Sequence, residues 1–227
     1  MPAPRFTDDT LAFLNALAEN NDREWFRARK ADYERHVRQP MIDVIEQLAA
    51  DLPRFAPDLV AAPKVSMYRV YRDTRFSADK SPLKTHVAAV FPHRALTKHG
   101  GAGMYLHVAR DHTLVGGGIY APEPRQLYRL REHVAANFER LRGIVESPAF
   151  RRAFGEISGE HLKRVPVAFP KDHPAAEYLK LKQFLVGRQH SADFATGPRF
   201  YGSLLRQFER LAPFIAFLNE ALVAARR

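Results

Sequence analysis

Leu11, Leu14 and Leu17 recur at three-residue steps behind Thr7 and Asp8, a capped helix with one apolar face. Asn20-Asn21-Asp22 breaks and recaps the chain. In the following REWFRARKADYERHVRQ, Phe26, Tyr33 and Val37 fall on one stripe, and charged residues fill the other faces. Pro40 cannot continue that helix without losing a hydrogen bond, but it suits the first turn of a new one. Met41, Val44, Ile45 and Leu48 give the new helix its apolar face, and Pro53 and Pro57 close the helical region.

The pattern changes at Lys64. KVSMYRVY is rich in β-branched and aromatic residues, and HVAAVF, GMYLHVA and TLVGGGIY follow it. Arg110-Asp111-His112 is a short polar link that predicts a hairpin. With no helical pattern between the later strands, an antiparallel meander is expected rather than parallel crossovers. Four strands fall within residues 64–120, and the pattern admits a fifth over 183–189. After Pro122 and Pro124, Leu127, Leu130, Val134, Phe138 and Leu141 restore the helical period. Ser147-Pro148 caps a short helix around Phe150 and Phe154. Gly197-Pro198 opens a long stripe from Leu204 to Leu222, which Pro213 should bend or split. The expected fold is α+β: one antiparallel sheet flanked by N-terminal and C-terminal helices, in a single domain over residues 1–227.

Composition narrows the chemistry. Apolar residues make up 46% and charged residues 26%, as in a soluble globular protein. Cysteine is absent, which excludes disulfides, thiolate catalysis and thiolate-bound metals. No apolar run approaches the roughly 20 residues of a membrane span. MPAPRFTDDT has no signal-type segment, so a cytoplasmic protein without a membrane partner is expected.

The net charge of +10 is concentrated. Residues 64–98 hold eight bases against Asp73 and Asp79 alone, mostly in and around RDTRFSADKSPLKT. Arg69, Arg72, Arg75, Lys80 and Lys84 are the candidate ligand-binding residues, because guanidinium forks match phosphate or carboxylate oxygens. Asp73 and Asp79 would orient those bases, and Ser81, Thr85 and backbone N–H groups would complete an anion nest. The competing reading makes the same arginines and aspartates structural ion pairs that pin a loop. The phosphate-cradling glycines of a P-loop are missing.

RVYRDTRFSADKSPLKTH resembles the signature of a family catalogued as domain of unknown function 2461, chiefly bacterial with fungal members. FLNALAENNDREWFRARKADYERHV before it and FPKDHPAAEYLKLKQFLV after it extend the resemblance over nearly the whole chain. One departure stands out: the family usually has Tyr shortly after the lysine, where this chain has Leu83. The resemblance implies membership and brings no activity with it.

Other constellations are weaker. Asp172-His173-Pro174 suits a helix start and Glu177–Lys180 a surface pair, with an Asp172–His173 acid–base pair as the alternative. Tyr105 and His107 share one strand face and His86 could neighbour them. Two imidazoles with Asp73 or Glu123 would make a zinc-like shell, but no metal-ligand spacing appears and no metal is assigned. Gly116-Gly117-Gly118 either admits a ligand closely or forms a bulge. No Gly-x-Ser-x-Gly elbow is present, and the sequence assigns no cofactor.

Three functions remain open. The first is binding of a small anionic ligand at the sheet rim, with Asp73 or His86 as general base if the protein is an enzyme. The second is sequence-independent nucleic-acid binding, through Tyr68, Tyr71 and Phe76 interleaved with bases. The third is a structural or interaction module.

Overall fold

The computed structural model describes residues 3–75 and 78–224. The N-terminal helices form as the sequence pattern requires. Helix α1 (Asp8–Glu19) starts in a capping box built by Thr7 and Thr10. Asp22 caps α2 (Arg23–Ala28) by accepting from the backbone N–H groups of Glu24 and Trp25. The chain then runs through α3 (Lys30–Tyr33), a π-helical turn at Glu34–Arg38, and α4 (Gln39–Asp51). Pro40 cannot donate to the carbonyl of His36, four residues back. The buried Thr10 hydroxyl donates to that carbonyl instead, at 2.5 Å, so one helix supplies the bond that another lacks. A 3₁₀ turn at Leu52–Arg54 follows.

The sheet is antiparallel and four-stranded, in the order β1 (His86–Phe91), β2 (Gly103–Ala109), β3 (His112–Ile119), β4 (Phe184–Ser191). It therefore includes the 183–189 segment and begins at His86 rather than at Lys64. Pro63 opens a short helix α5 (Pro63–Ser66), whose Ser66 hydroxyl bonds to Ala62 and Val60. Beyond it, residues 67–72 lie beside 82–89 with only isolated bridges, Met67 to Ala89 and Tyr71 to Leu83. β-propensity in KVSMYRVY thus yields an irregular edge, because the helical turn takes up its first residues.

Strand alternation gives the sheet two different faces. Val87, Ala89 and Phe91 of β1, Met104, Leu106 and Val108 of β2, and Val115 and Ile119 of β3 are buried in the core. The helices α6 (Pro124–Ala136), α7 (Phe138–Val145), α8 (Pro148–Phe154), α9 (Ala176–Leu179), α10 (Asp193–Thr196) and α11 (Phe200–Val223) complete the fold. Helix α11 packs on β2 and β3, and Phe208 meets Phe91 edge to face at 5.5 Å. Buried Asn219 of α11 fixes the entry to β2. Its Oδ1 accepts from the Ala102 N–H at 2.9 Å and its Nδ2 donates to the Ala102 carbonyl at 3.0 Å.

Helix α11 runs through Pro213 as one 24-residue helix, neither split nor ended there. Pro213 and Glu209, the residue whose carbonyl loses its donor, are both exposed, so water can satisfy that carbonyl. Ser147 caps α8 as expected, and Lys180 pairs with Glu177 at 2.6 Å. His173 holds its turn by accepting from the Ala175 N–H at 3.0 Å. No helix among the described residues is long and apolar enough to cross a membrane.

Gly118 tests how tightly β3 and β4 are joined. Its φ is +127°, and a Cβ there would overlap the Phe184 carbonyl oxygen. Gly118→Ala is expected to cost about 3 kcal/mol or more in urea unfolding. Gly143→Ala, in open space on α7, should instead stabilise by about 0.5–1 kcal/mol. An unchanged midpoint for Gly118→Ala would mean that β4 can shift away at little cost.

Candidate functional site

The side chains that point away from α11 enclose a cavity of about 820 Å³. The strand register places His86, Ala88 and Val90 of β1 beside Gly103, Tyr105 and His107 of β2 on this face. Leu114, Gly116 and Gly118 of β3 and Leu185 and Gly187 of β4 continue it. The floor is low because it is glycine-rich. At Gly116 a side chain would collide with the β4 backbone at Val186 and Gly187. The glycine run keeps an unbroken register on both sides despite the positive φ of Gly118, and no bulge forms.

The walls are aromatic and basic. Tyr68, Lys84, Lys98 and His99 rise beside the floor, with Tyr120 and Ser158 also lining the cavity. Lys84 Nζ lies 4.9 Å and Lys98 Nζ 4.3 Å from the centre of the Tyr68 ring, both within cation–π range. Lys98 also donates to the carbonyls of Ser66 and Met67, at 3.3 and 3.0 Å. His99 stacks on Tyr68 at 5.9 Å. No aspartate or glutamate among the described residues lines the cavity. Burial lowers the pKa of Lys84, and the charges of Arg69 and Arg72 lower it further. For Lys98 the causes are burial and then Lys84. Burial and like charge both work against the charged form of these two ammonium groups, and no lining carboxylate among the described residues offsets them.

The residues singled out from the sequence divide into two groups. Lys84 and His86 line the cavity, and Arg69 and Arg72 act on Lys84 through their charge. Asp73, Arg75 and Lys80 belong to the adjoining loop and do not line it. Arg75 grips Asp73 with two N–H groups, Nε at 3.0 Å and Nη2 at 2.8 Å. Arg72 pairs with Asp79, which also accepts from the Ser81 N–H at 2.9 Å. Lys80 donates to the Thr74 carbonyl at 2.9 Å. Asn21 anchors the end of this loop through both polar atoms, exchanging two 3.0 Å bonds with the Leu83 backbone. Leu83 itself is fully buried in the core.

Asp73 is a weak base in this setting. The side-chain bond from Arg75, helped by the Arg75 N–H, draws its carboxyl down to about 2. Asp79 also falls to about 2, chiefly through Ser81 and then Arg72. The aromatics of the nucleic-acid reading do not form one stripe. Tyr68 lines the cavity, half-exposed Tyr71 packs edge-on against Phe26, and Phe76 lies outside the described residues. Glu123 and Asp73 are absent from the cavity lining, and no metal-holding cluster of three or more His, Cys, Asp or Glu occurs among the described residues.

The sequence reading did not assign Lys98, Tyr68, Tyr105 or His107 to one ligand cavity. The available signal was the alternation in HVAAVF, GMYLHVA and TLVGGGIY, which places small residues beside Tyr105 and His107. His107 and His86 stack at 4.8 Å, and the Tyr105 hydroxyl lies 3.3 Å from His107 Nδ1. Burial, then His86 and His112, depress His107 to about 4. Burial raises the Tyr105 hydroxyl to about 12. His86 is also lowered, by burial first and then by Lys84, His112 and Arg72.

These shifts have a definite sign. A histidine whose folded pKa lies below the free value of about 6.5 stabilises the fold fully only above that value. His107 should therefore weaken the protein as pH falls from about 6.5 towards its folded value of about 4. The Asp73 and Asp79 pairs persist below the free aspartate value of about 3.9 and are lost only as pH falls towards about 2. Histidine ring-proton and aspartate carboxyl titrations by NMR should give this order. An ordinary His107 titration near 6.5 would contradict the burial assigned to it.

Comparison with curated proteins and with solved structures gives no match. The family described as conserved hypothetical protein (DUF2461) matches residues 9–217, which span both the Arg72–Asp79 loop and every strand of the sheet. The chain belongs to that family.

Proposed function

We propose that the protein binds a small phosphate- or carboxylate-bearing molecule in the cavity over the sheet. The observation that carries this reading is the pair Lys84 and Lys98, half-buried around Tyr68 in a cavity lined by no carboxylate. Coulomb attraction to an anion there would offset the hydration that the two ammonium groups lose by burial. Arg69 and Arg72 add positive potential at Lys84. Tyr68, Tyr105 and the glycine floor offer flat apolar surface to the rest of the ligand.

The internal pairing of Arg72 with Asp79 and of Arg75 with Asp73 favours a second, structural role for the loop. In this reading Asp73, Arg75 and Lys80 shape the segment that carries Lys84, and Lys84 meets the ligand. The contact set thus shifts from the loop arginines towards Lys84 and Lys98.

Isothermal titration with inorganic phosphate and with acetate tests the proposal. Lys84→Met should weaken binding by about tenfold to a hundredfold, the value of one charge-assisted hydrogen bond, without loss of folding. Arg72→Ala should lower loop stability more than it lowers affinity. Equal affinity in wild type and Lys84→Met, or no saturable binding of either anion to wild type, would overturn the reading.

A further inference from the structure

A chain of hydrogen-bonding groups leads out of the cavity. The Tyr105 hydroxyl lies 3.3 Å from His107 Nδ1. His107 Nε2 lies 2.9 Å from His112 Nε2, and His112 Nδ1 lies 2.7 Å from Asp111 Oδ1. Tyr105 and His107 line the cavity, whereas the Asp111 side chain is 69% exposed. Neighbouring strands create the chain. His107 is on β2, His112 opens β3, and the two-residue turn between the strands places Asp111 against His112.

The order of groups fixes the direction of every bond. Asp111 is held as a carboxylate, chiefly by the bond from His112, so it can only accept. His112 must then carry its proton on Nδ1, which leaves Nε2 as an acceptor. His107 must donate from Nε2, so its Nδ1 accepts from Tyr105. With both rings neutral, one arrangement satisfies all three contacts, and every donor points from the cavity towards solvent. Two facing N–H groups, or two facing lone pairs, would result from any single reversed ring.

We propose that Tyr105, His107, His112 and Asp111 form a directional proton relay, which makes Tyr105 the acid–base group presented to an anionic ligand with an exchangeable proton. The proposal rests on the anion-cavity reading for its ligand class, namely a phosphate- or carboxylate-bearing molecule with a hydroxyl or an acidic C–H beside Tyr105. As the ligand's proton passes to the Tyr105 oxygen, Tyr105 gives its own to His107 Nδ1. His107 releases its Nε2 proton to His112 Nε2, and His112 releases its Nδ1 proton to Asp111 and then water. The ligand gains one negative charge, the solvent gains one proton, and no electrons are exchanged.

One transit reverses both imidazoles and leaves a His112 lone pair against the Asp111 carboxylate. That arrangement is unfavourable, so the loaded chain tends to return a proton along the same path. Such a relay suits a reaction in which a proton is removed and then restored, as in an isomerisation. The surroundings keep the His107 ring neutral. His107 is faced by His86 from β1, Tyr105 from its own strand and His112 from β3, with Lys84 beyond His86. Among the described residues, Asp111 is the carboxylate that acts on His107.

Nitrogen-detected NMR of the ligand-free protein at neutral pH tests the relay directly. His107 should appear with its proton on Nε2 and His112 with its proton on Nδ1, coupled across the Nε2–Nε2 bond. Asp111→Ala should release His112 to carry its proton on Nε2 and turn His107 over with it. His112→Phe should slow exchange of the Tyr105 hydroxyl proton with water by about a hundredfold. His112 protonated on Nε2 in the wild type, or hydroxyl exchange unaltered by His112→Phe, would overturn the relay. These measurements need no ligand, so they can fail while phosphate still binds at Lys84, and the reverse also holds.

Discussion

Everything at the candidate site depends on a sheet packed on one face only. Helix α11 covers β2 and β3 with Phe208, Leu211 and their neighbours, while Asn219 locks the start of β2 through the Ala102 backbone. Asn219 is buried, and its two bonds satisfy groups that would each cost about 1–3 kcal/mol if left unpaired. With that face filled by apolar side chains, strand alternation sends Ala88, Gly103, Tyr105, His107, Gly116 and Gly118 to the other. The cavity is what remains when five small residues, Gly187 included, occupy positions where a sheet usually carries bulk.

The basic loop is connected to this frame but differs from it in character. Its ion pairs, Arg72 with Asp79 and Arg75 with Asp73, join neighbours in sequence and lie largely at the surface. Surface pairs of this kind contribute little to global stability, because solvent screens them. They fix a local shape. Asn21 ties the loop end to the N-terminal helices, and the buried Leu83 side chain anchors it in the core. Lys84 and His86, immediately after that anchor, are then directed to the cavity. The loop and the cavity are therefore linked mechanically, through an anchored turn that precedes β1.

Tyr68 links the two lysines to the aromatic wall. Its ring faces both ammonium groups, stacks on His99 and meets Tyr105 edge-on at 6.4 Å. Cation–π attraction keeps the charges near the ring without neutralising them, so positive potential survives inside the cavity. From Tyr105 the polar contacts continue through His107 and His112 to the surface at Asp111. Anion affinity would thus arise on the segments that flank β1 and proton movement on β2 and β3, around one cavity.

The sequence by itself determined the elements whose signals are local. Thr7, Asp22 and Ser147 cap their helices because capping involves only the next three residues, and the alternation of β1, β2 and β3 follows from strand geometry. The fold class and the family were legible for the same reason. Other outcomes lay beyond local reading. KVSMYRVY became an irregular edge because Pro63 and Ser66 formed a helical turn first, and α11 continued through Pro213 because the affected carbonyl faces solvent. The arginine-rich run showed where charge accumulates, but its partners are set by loop closure, which brings Asp79 back to Arg72. The cavity and the Tyr105-to-Asp111 chain depend on register between strands and on which face α11 covers. Those are distances between residues far apart in the chain, and only the packed tertiary structure decides them.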